Sequence, residues 1–340
     1  MYSQRPKVVI STRVDERSLV PLAKCAEVVI NKSAEPWSRA ELVDKAREAF
    51  GLMAFMPDMV DDEMLASCPS LRIIAGAFKG YDNVDVESCT RRGVWVTVVP
   101  DLLSAPTADL AVALLLALSR HVNEGDRLVR NGFYRGWRPV LYGKGLDGAV
   151  VGIIGMGALG QAIARRLAGF GCRLVYFDKR PLSRGDEHSL GLVQLALNRI
   201  RDESDFLILA LPLNEFTTAL VDRSFLSKVK PGCLMINVAR GSLVDEDAVA
   251  EALETGNLGG YAADVYPFED LRQSNRPNSV SPRLLADVGQ TVFTPHLGSA
   301  VEEVRFRIAE EAALNILDCI DGRRPRGAVN SVPTIASAQK

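Results

Sequence analysis

The segment Val150-Val151-Gly152-Ile153-Ile154-Gly155-Met156-Gly157-Ala158-Leu159-Gly160 constrains the chain more than any other. An apolar run leads into GxGxxG, and Leu159, Ile163, Leu167 and Phe170 then recur at helical spacing. A strand, a tight glycine turn and a helix start aim backbone N–H groups and the positive end of a helix dipole at a pyrophosphate. Gly155, Met156, Gly157, Ala158, Leu159 and Gly160 are therefore expected to hold a dinucleotide. The next apolar run, 173–177, ends at Asp178, where a carboxylate binds the ribose 2′-hydroxyl. A carboxylate there repels a 2′-phosphate and predicts NAD, while Lys179 and Arg180 directly after it predict some tolerance of NADP.

Around this unit, short β-branched runs alternate with amphipathic stretches. Strands are expected at 8–11, 27–30, 52–56, 72–77 and 94–99, then again at 150–154, 173–177, 206–211, 234–237, 261–265 and 291–294. Alternation of this kind builds parallel sheets with crossover helices. The expected fold is α/β with two doubly wound parallel-sheet domains. A Rossmann NAD-binding domain (104–298) is inserted into a flavodoxin-like substrate domain (1–103 and 299–330), with a loose tail at 331–340. Pro100-Asp101 and Ala105-Pro106 mark a hinge, and one helix is expected from Pro106 to about Arg130. A helix over 301–319, apolar at Val304, Ile308, Ala312 and Ile316, returns the chain to the first domain.

Composition narrows the partners. With 340 residues there is room for two cores, and 40 Lys and Arg against 42 Asp and Glu leave no charge excess to attract nucleic acid or a membrane surface. The longest apolar stretch, 110–118, is about half of the ~20 residues that cross a bilayer. Its all-round apolarity predicts burial between domains or subunits, and a homodimer through this region. The amino-terminal apolar run is too short for a signal peptide. Cys25, Cys68, Cys89, Cys172, Cys233 and Cys319 are scattered, as expected of reduced thiols in the cytoplasm, and no metal site is expected.

Three later segments fall at the carboxyl ends of strands, where such sheets place ligands. They are Asn237-Val238-Ala239-Arg240-Gly241, Asp264-Val265-Tyr266-Pro267-Phe268-Glu269 and Thr294-Pro295-His296-Leu297-Gly298-Ser299. A guanidinium at Arg240 can grip an anion with two donors. An imidazole at His296 can move a proton, and a carboxylate at Glu269 can orient it. His121, late in the apolar helix, and His188, in a polar loop, are expected to be structural or surface residues.

Arg, Glu and His in this order, with these flanks, resemble the D-2-hydroxyacid dehydrogenase family over nearly the whole chain. The resemblance implies catalysis by Arg240, Glu269 and His296, a homodimer, and Pro212, Ala239, Asp264 and His296 against the cofactor. Lys79 stands where hydroxyacid members usually have a small or apolar residue, and a second cation beside Arg240 suits a small dianion. The segments 53–58, 99–103, 136–139, 141–143 and 296–301 resemble the family's phosphite-oxidising branch.

That branch implies that Lys79 and Arg240 bind the substrate oxygens, with Met56, Ser299 and Arg305 lining or supporting the site. Trp137 and Tyr142 would close a wall, from the same subunit or its partner, and His296 or an arginine would serve as base for water. Ordinary hydroxyacid dehydrogenation, as in glyoxylate or hydroxypyruvate reductases, is the alternative; an NAD-sensing corepressor is a remoter one. The chain also departs from most hydroxyacid members after Glu269, reading Asp270-Leu271 in place of a proline, then a polar loop at 272–281 expected to shape the site mouth.

Overall fold

The computed structural model describes residues 5–99, 101–286 and 289–332. Pro100, at the expected hinge, and residues 333–340 of the expected loose tail lie outside them. The chain divides into two compact units, one formed by Met1–Leu103 with Ala300–Lys340 and the other by Ser104–Ser299.

In the first unit the strands β1 (Lys7–Ile10), β2 (Glu27–Ile30), β3 (Gly51–Ala54), β4 (Ile73–Gly76) and β5 (Trp95–Thr97) form a parallel sheet in the order β2-β1-β3-β4-β5. This is the flavodoxin-like order. β3 and β4 are buried at every position, as expected of central strands covered on both faces. The helix Glu302–Ile320 supplies Ile308, Ala312 and Ile316 to one of these cores. Helix starts follow local chemistry: Asp61 accepts from the Met64 amide and Asp85 from the Ser88 amide, both at 2.9 Å. Each such cap contributes about 1 kcal/mol.

A polar knot sits under the loop after β3. Asp58 is buried and accepts from the Ser11 hydroxyl and from the Phe55 amide at 2.7 Å. Burial pushes its carboxyl pKa up to about 6, and the two donors work against that rise. Asn83 donates to the carbonyls of Phe55 (3.2 Å) and Asp58 (2.7 Å), tying the loop of Met56 to the turn that follows Lys79.

In the second unit β6 (Val150–Ile154), β7 (Arg173–Phe177), β8 (Leu192–Gln194), β9 (Phe206–Leu209), β10 (Cys233–Asn237), β11 (Leu258–Ala263) and β12 (Thr291–Phe293) make a seven-stranded parallel sheet. Its order is β12-β11-β10-β9-β6-β7-β8, the dinucleotide-binding arrangement with its switch point between β6 and β9. β8 was not expected: three residues behind a helical stretch carry too little periodicity to be read as a strand.

The single helix expected to reach Arg130 is two, Ser104–Ser119 and Val122–Arg130, bent by 63°. The break comes at His121, which adopts φ +52°, a left-handed conformation that no glycine or proline announces. The first helix sends Ala108, Ala111, Leu114, Leu115 and Leu118 into its own unit's core, so much of its apolarity is spent within the unit. His188 lies in a short helix, Arg184–Leu190, and not in a loop. Among the described residues no single helix is long and apolar enough to cross a membrane, and the six cysteines are unpaired.

Candidate active site

The cofactor cradle is built by β6, the glycine turn and the helix Ala158–Leu167. Gly155 adopts φ +99°, and a Cβ there would lie 2.6 Å from the Ala210 carbonyl, so only glycine lets the turn close against the end of β9. Gly157 and Ala158 are exposed at the helix start, where N–H groups lack helical partners, while Met156 and Gly160 are buried beneath. Asp178, just past β7, accepts from the Met156 amide at 2.7 Å and from the Arg180 amide at 2.8 Å. The carboxylate is thereby fixed at the strand end, as ribose binding requires, and the residues fit a dinucleotide. Lys179 places its ammonium 4.8 Å from the centre of the Phe216 ring. Pro212 and Ala239 follow β9 and β10; the Pro212 carbonyl accepts from Thr217 at 2.8 Å and the Ala239 amide donates to Asn237 at 3.1 Å.

At the carboxyl edge of the same sheet, Glu269 and His296 meet. His296 Nδ1 lies 3.3 Å from Glu269 Oε1, and both side chains are partly exposed. An Nδ1–H donating to the carboxylate leaves Nε2 as the atom that can take a proton. The other carboxylate oxygen, Oε2, accepts from the Tyr266 amide at 2.9 Å and so locks Glu269 to its own turn.

His296 itself adopts φ +54°, which costs a residue with a Cβ of order 1 kcal/mol. The loop is held there by Asp264. This buried carboxylate accepts from the Thr294 hydroxyl (2.6 Å), the Leu297 amide (2.7 Å) and the Gly298 amide (2.8 Å). Burial raises its pKa, and the three donors work against the rise. The Tyr266 hydroxyl donates to the Thr294 carbonyl at 2.8 Å, bracing the strand end from the other side. Neither Thr294 nor Tyr266 was singled out from the sequence; a polar side chain beside the Pro-His pair was the one available sign.

Arg240 ends the segment after β10. Its carbonyl accepts from Asn237 Nδ2 at 2.9 Å, and one guanidinium nitrogen donates to the Ala239 carbonyl at 2.8 Å. Ser299, the last residue of this unit, is half-buried.

The remaining expected site residues belong elsewhere. In the first unit, Lys79 follows β4 and sits 4.0 Å from Asp101; burial lowers its ammonium pKa and Asp101 offsets part of that. Met56, two residues past β3, is half-buried. Arg305 stacks its guanidinium 5.6 Å from the Phe55 ring centre and is pushed down in pKa by burial. Trp137 and Tyr142 stand on the segment after the helix Val122–Arg130 and are 84% and 77% exposed.

Comparison with known proteins places this architecture. Residues 112–298 match the family model described as "D-isomer specific 2-hydroxyacid dehydrogenase, NAD binding domain". A glyoxylate reductase of Pyrococcus furiosus is 37% identical over 331 residues, covering 96% of either chain. A glyoxylate reductase of Thermococcus litoralis is 35% identical, over 96% of this chain and 97% of its own. Among solved structures, the TT0316 protein of Thermus thermophilus superposes with a TM-score of 0.86 at 35% identity, over 95% of this chain and 100% of its own.

Proposed function

The chain belongs to the D-isomer specific 2-hydroxyacid dehydrogenase family and carries its NAD-binding domain, and we propose, on the ground of one residue outside that domain, that it oxidises phosphite to phosphate with transfer of a hydride to NAD. The observation that carries the choice of substrate is Lys79. A half-buried ammonium, 4.0 Å from Asp101, stands past the carboxyl end of β4, in a unit that also holds the Arg305 guanidinium over Phe55. In this reading Lys79 is the second cation beside Arg240, and such a pair favours a small anion of charge near −2 over a monocarboxylate.

NAD, when bound, supplies the hydride acceptor. Lys79 and Arg240 bind the oxygens of phosphite, and Met56, Ser299 and Arg305 line or support the site. His296 Nε2 takes a proton from the water whose oxygen forms the new P–O bond, while the P–H bond breaks and its electron pair leaves with the hydride. Glu269 holds the ring and stabilises the imidazolium that results. Asp178 makes NAD the preferred cofactor, with Lys179 and Arg180 permitting some use of NADP.

Reduction of glyoxylate or a similar 2-oxoacid is the second reading, and the names of the relatives favour it. There His296 would give its proton to the carbonyl oxygen and Arg240 would hold the carboxylate. The purified chain, offered NAD or NADP with phosphite or a panel of 2-hydroxyacids, separates the readings by NADH or NADPH formed per unit time.

The assembly proposed is a homodimer. Val122, Val129, Phe133, Tyr134, Trp137, Val140, Leu141 and Tyr142 are all exposed in one stretch of about twenty residues, and a patch of that kind calls for cover by a partner. A second copy would bring Trp137 and Tyr142 to the neighbour's site wall. Light scattering at micromolar concentration is expected to give the mass of two chains, and Trp137→Glu to shift it toward one; a wild-type monomer would contradict this.

A further inference from the structure

We propose that Asp270 is a positioning residue that couples the turn of Arg240 to the turn of Glu269, and through Glu269 to His296. The proposal rests on the reading of these three residues as a dehydrogenase active site. Asp270 is 4% exposed, and a carboxylate so buried is tolerated only where donors meet it. Its Oδ2 accepts from the Ser242 amide at 2.7 Å, across 28 residues of sequence and two positions past Arg240. Its own amide donates to the Pro267 carbonyl at 3.2 Å, closing the turn that contains Glu269.

The two turns, Gly241–Leu243 and Pro267–Glu269, lie in direct contact. A Cβ at Gly241 would overlap the backbone of Tyr266 and Pro267, so the glycine permits the approach and the Asp270 carboxylate fastens it. Glu269 spends one oxygen on the Tyr266 amide and the other on His296, so a displaced Pro267–Glu269 turn carries the carboxylate away from the imidazole. Asn237 fixes the Arg240 carbonyl to the end of β10, so the arginine cannot follow. Asp270 thus sets the spacing between the anion-gripping group and the proton-moving pair.

The test compares Asp270→Ala with Asp270→Asn in the full-length protein. The asparagine side chain retains an oxygen that can accept the Ser242 N–H, whereas the alanine methyl does not. Asp270→Ala is expected to lower kcat by about ten- to a hundredfold. NADH binding by fluorescence quenching should stay within about twofold, and Asp270→Asn should recover to within about threefold of wild type. The chain has three histidines, so the His296 ring signals can be followed by NMR; they should move in Asp270→Ala, return in Asp270→Asn, and leave those of His121 and His188 in place. An unchanged kcat and unmoved His296 signals in Asp270→Ala would overturn the proposal. Equal loss in both variants with impaired NADH binding would also overturn it, in favour of a role in folding alone. If the wild-type chain turns over neither phosphite nor a hydroxyacid, the functional reading falls, and the NMR comparison still decides the placement of Asp270.

Discussion

Replacing His296 with alanine is expected to lower kcat by about a hundred- to ten-thousandfold, with a far smaller effect on NADH affinity. The loss follows from the geometry of one ring. Glu269 faces Nδ1 at 3.3 Å, and the backbone at φ +54° is pinned by the amides of Leu297 and Gly298 on Asp264, so the imidazole is held in one pose, as the proposed proton transfer requires. No other histidine can replace it: His121 sits at a helix break 2.8 Å from Glu124, and His188 lies on a surface helix. Steady-state kinetics with fluorescence titration of NADH would check the expectation. A kcat within tenfold of wild type would show that another group moves the proton.

The second large effect is expected at Arg240. Replacement by lysine keeps the charge and removes the planar pair of donors, and kcat/KM should fall by about a hundred- to a thousandfold, or about 3–4 kcal/mol of transition-state stabilisation. Part of the fall should appear in kcat, because a single ammonium cannot fix the rotation of a small anion as two parallel N–H bonds do. The local frame would survive, since Asn237 holds the carbonyl of residue 240 and not its side chain. Measuring kcat and KM separately distinguishes the outcomes: a rise in KM alone, with kcat unchanged, would reduce Arg240 to a general attractor of anions.

Much of this is legible in the sequence itself. The run from Val150 to Gly160 announced strand, turn and helix because the chemistry of a glycine at φ +99° and of an open helix start leaves few other residue choices. Apolar blocks of four to six residues separated by amphipathic stretches gave both sheets, whose central strands are buried on both faces. Arg240, Glu269 and His296 could be picked out because each lies in a segment beyond the carboxyl end of a strand, in an order that resembles the family's.

What stayed hidden depends on distant partners or on unmarked backbone. The left-handed His121 breaks a helix whose residues all permit helix, and three-residue β8 has no period to detect. Asp270 was visible as a departure from the family pattern, but its partner is an amide 28 residues away, which spacing cannot reveal. Exposure of Trp137 and Tyr142 is likewise a property of the folded surface; their sequence reads equally well as packing.

The most direct measurement is the rate of NADH formation by the purified protein from NAD and phosphite, set beside its rates with glycolate and other small 2-hydroxyacids and with glyoxylate and NADH. The proposed role of Lys79 in choosing the substrate predicts that kcat/KM is highest for phosphite and that Lys79→Met abolishes this preference while NADH still binds. Brisk glyoxylate reduction by a protein that leaves phosphite untouched would contradict the substrate assignment.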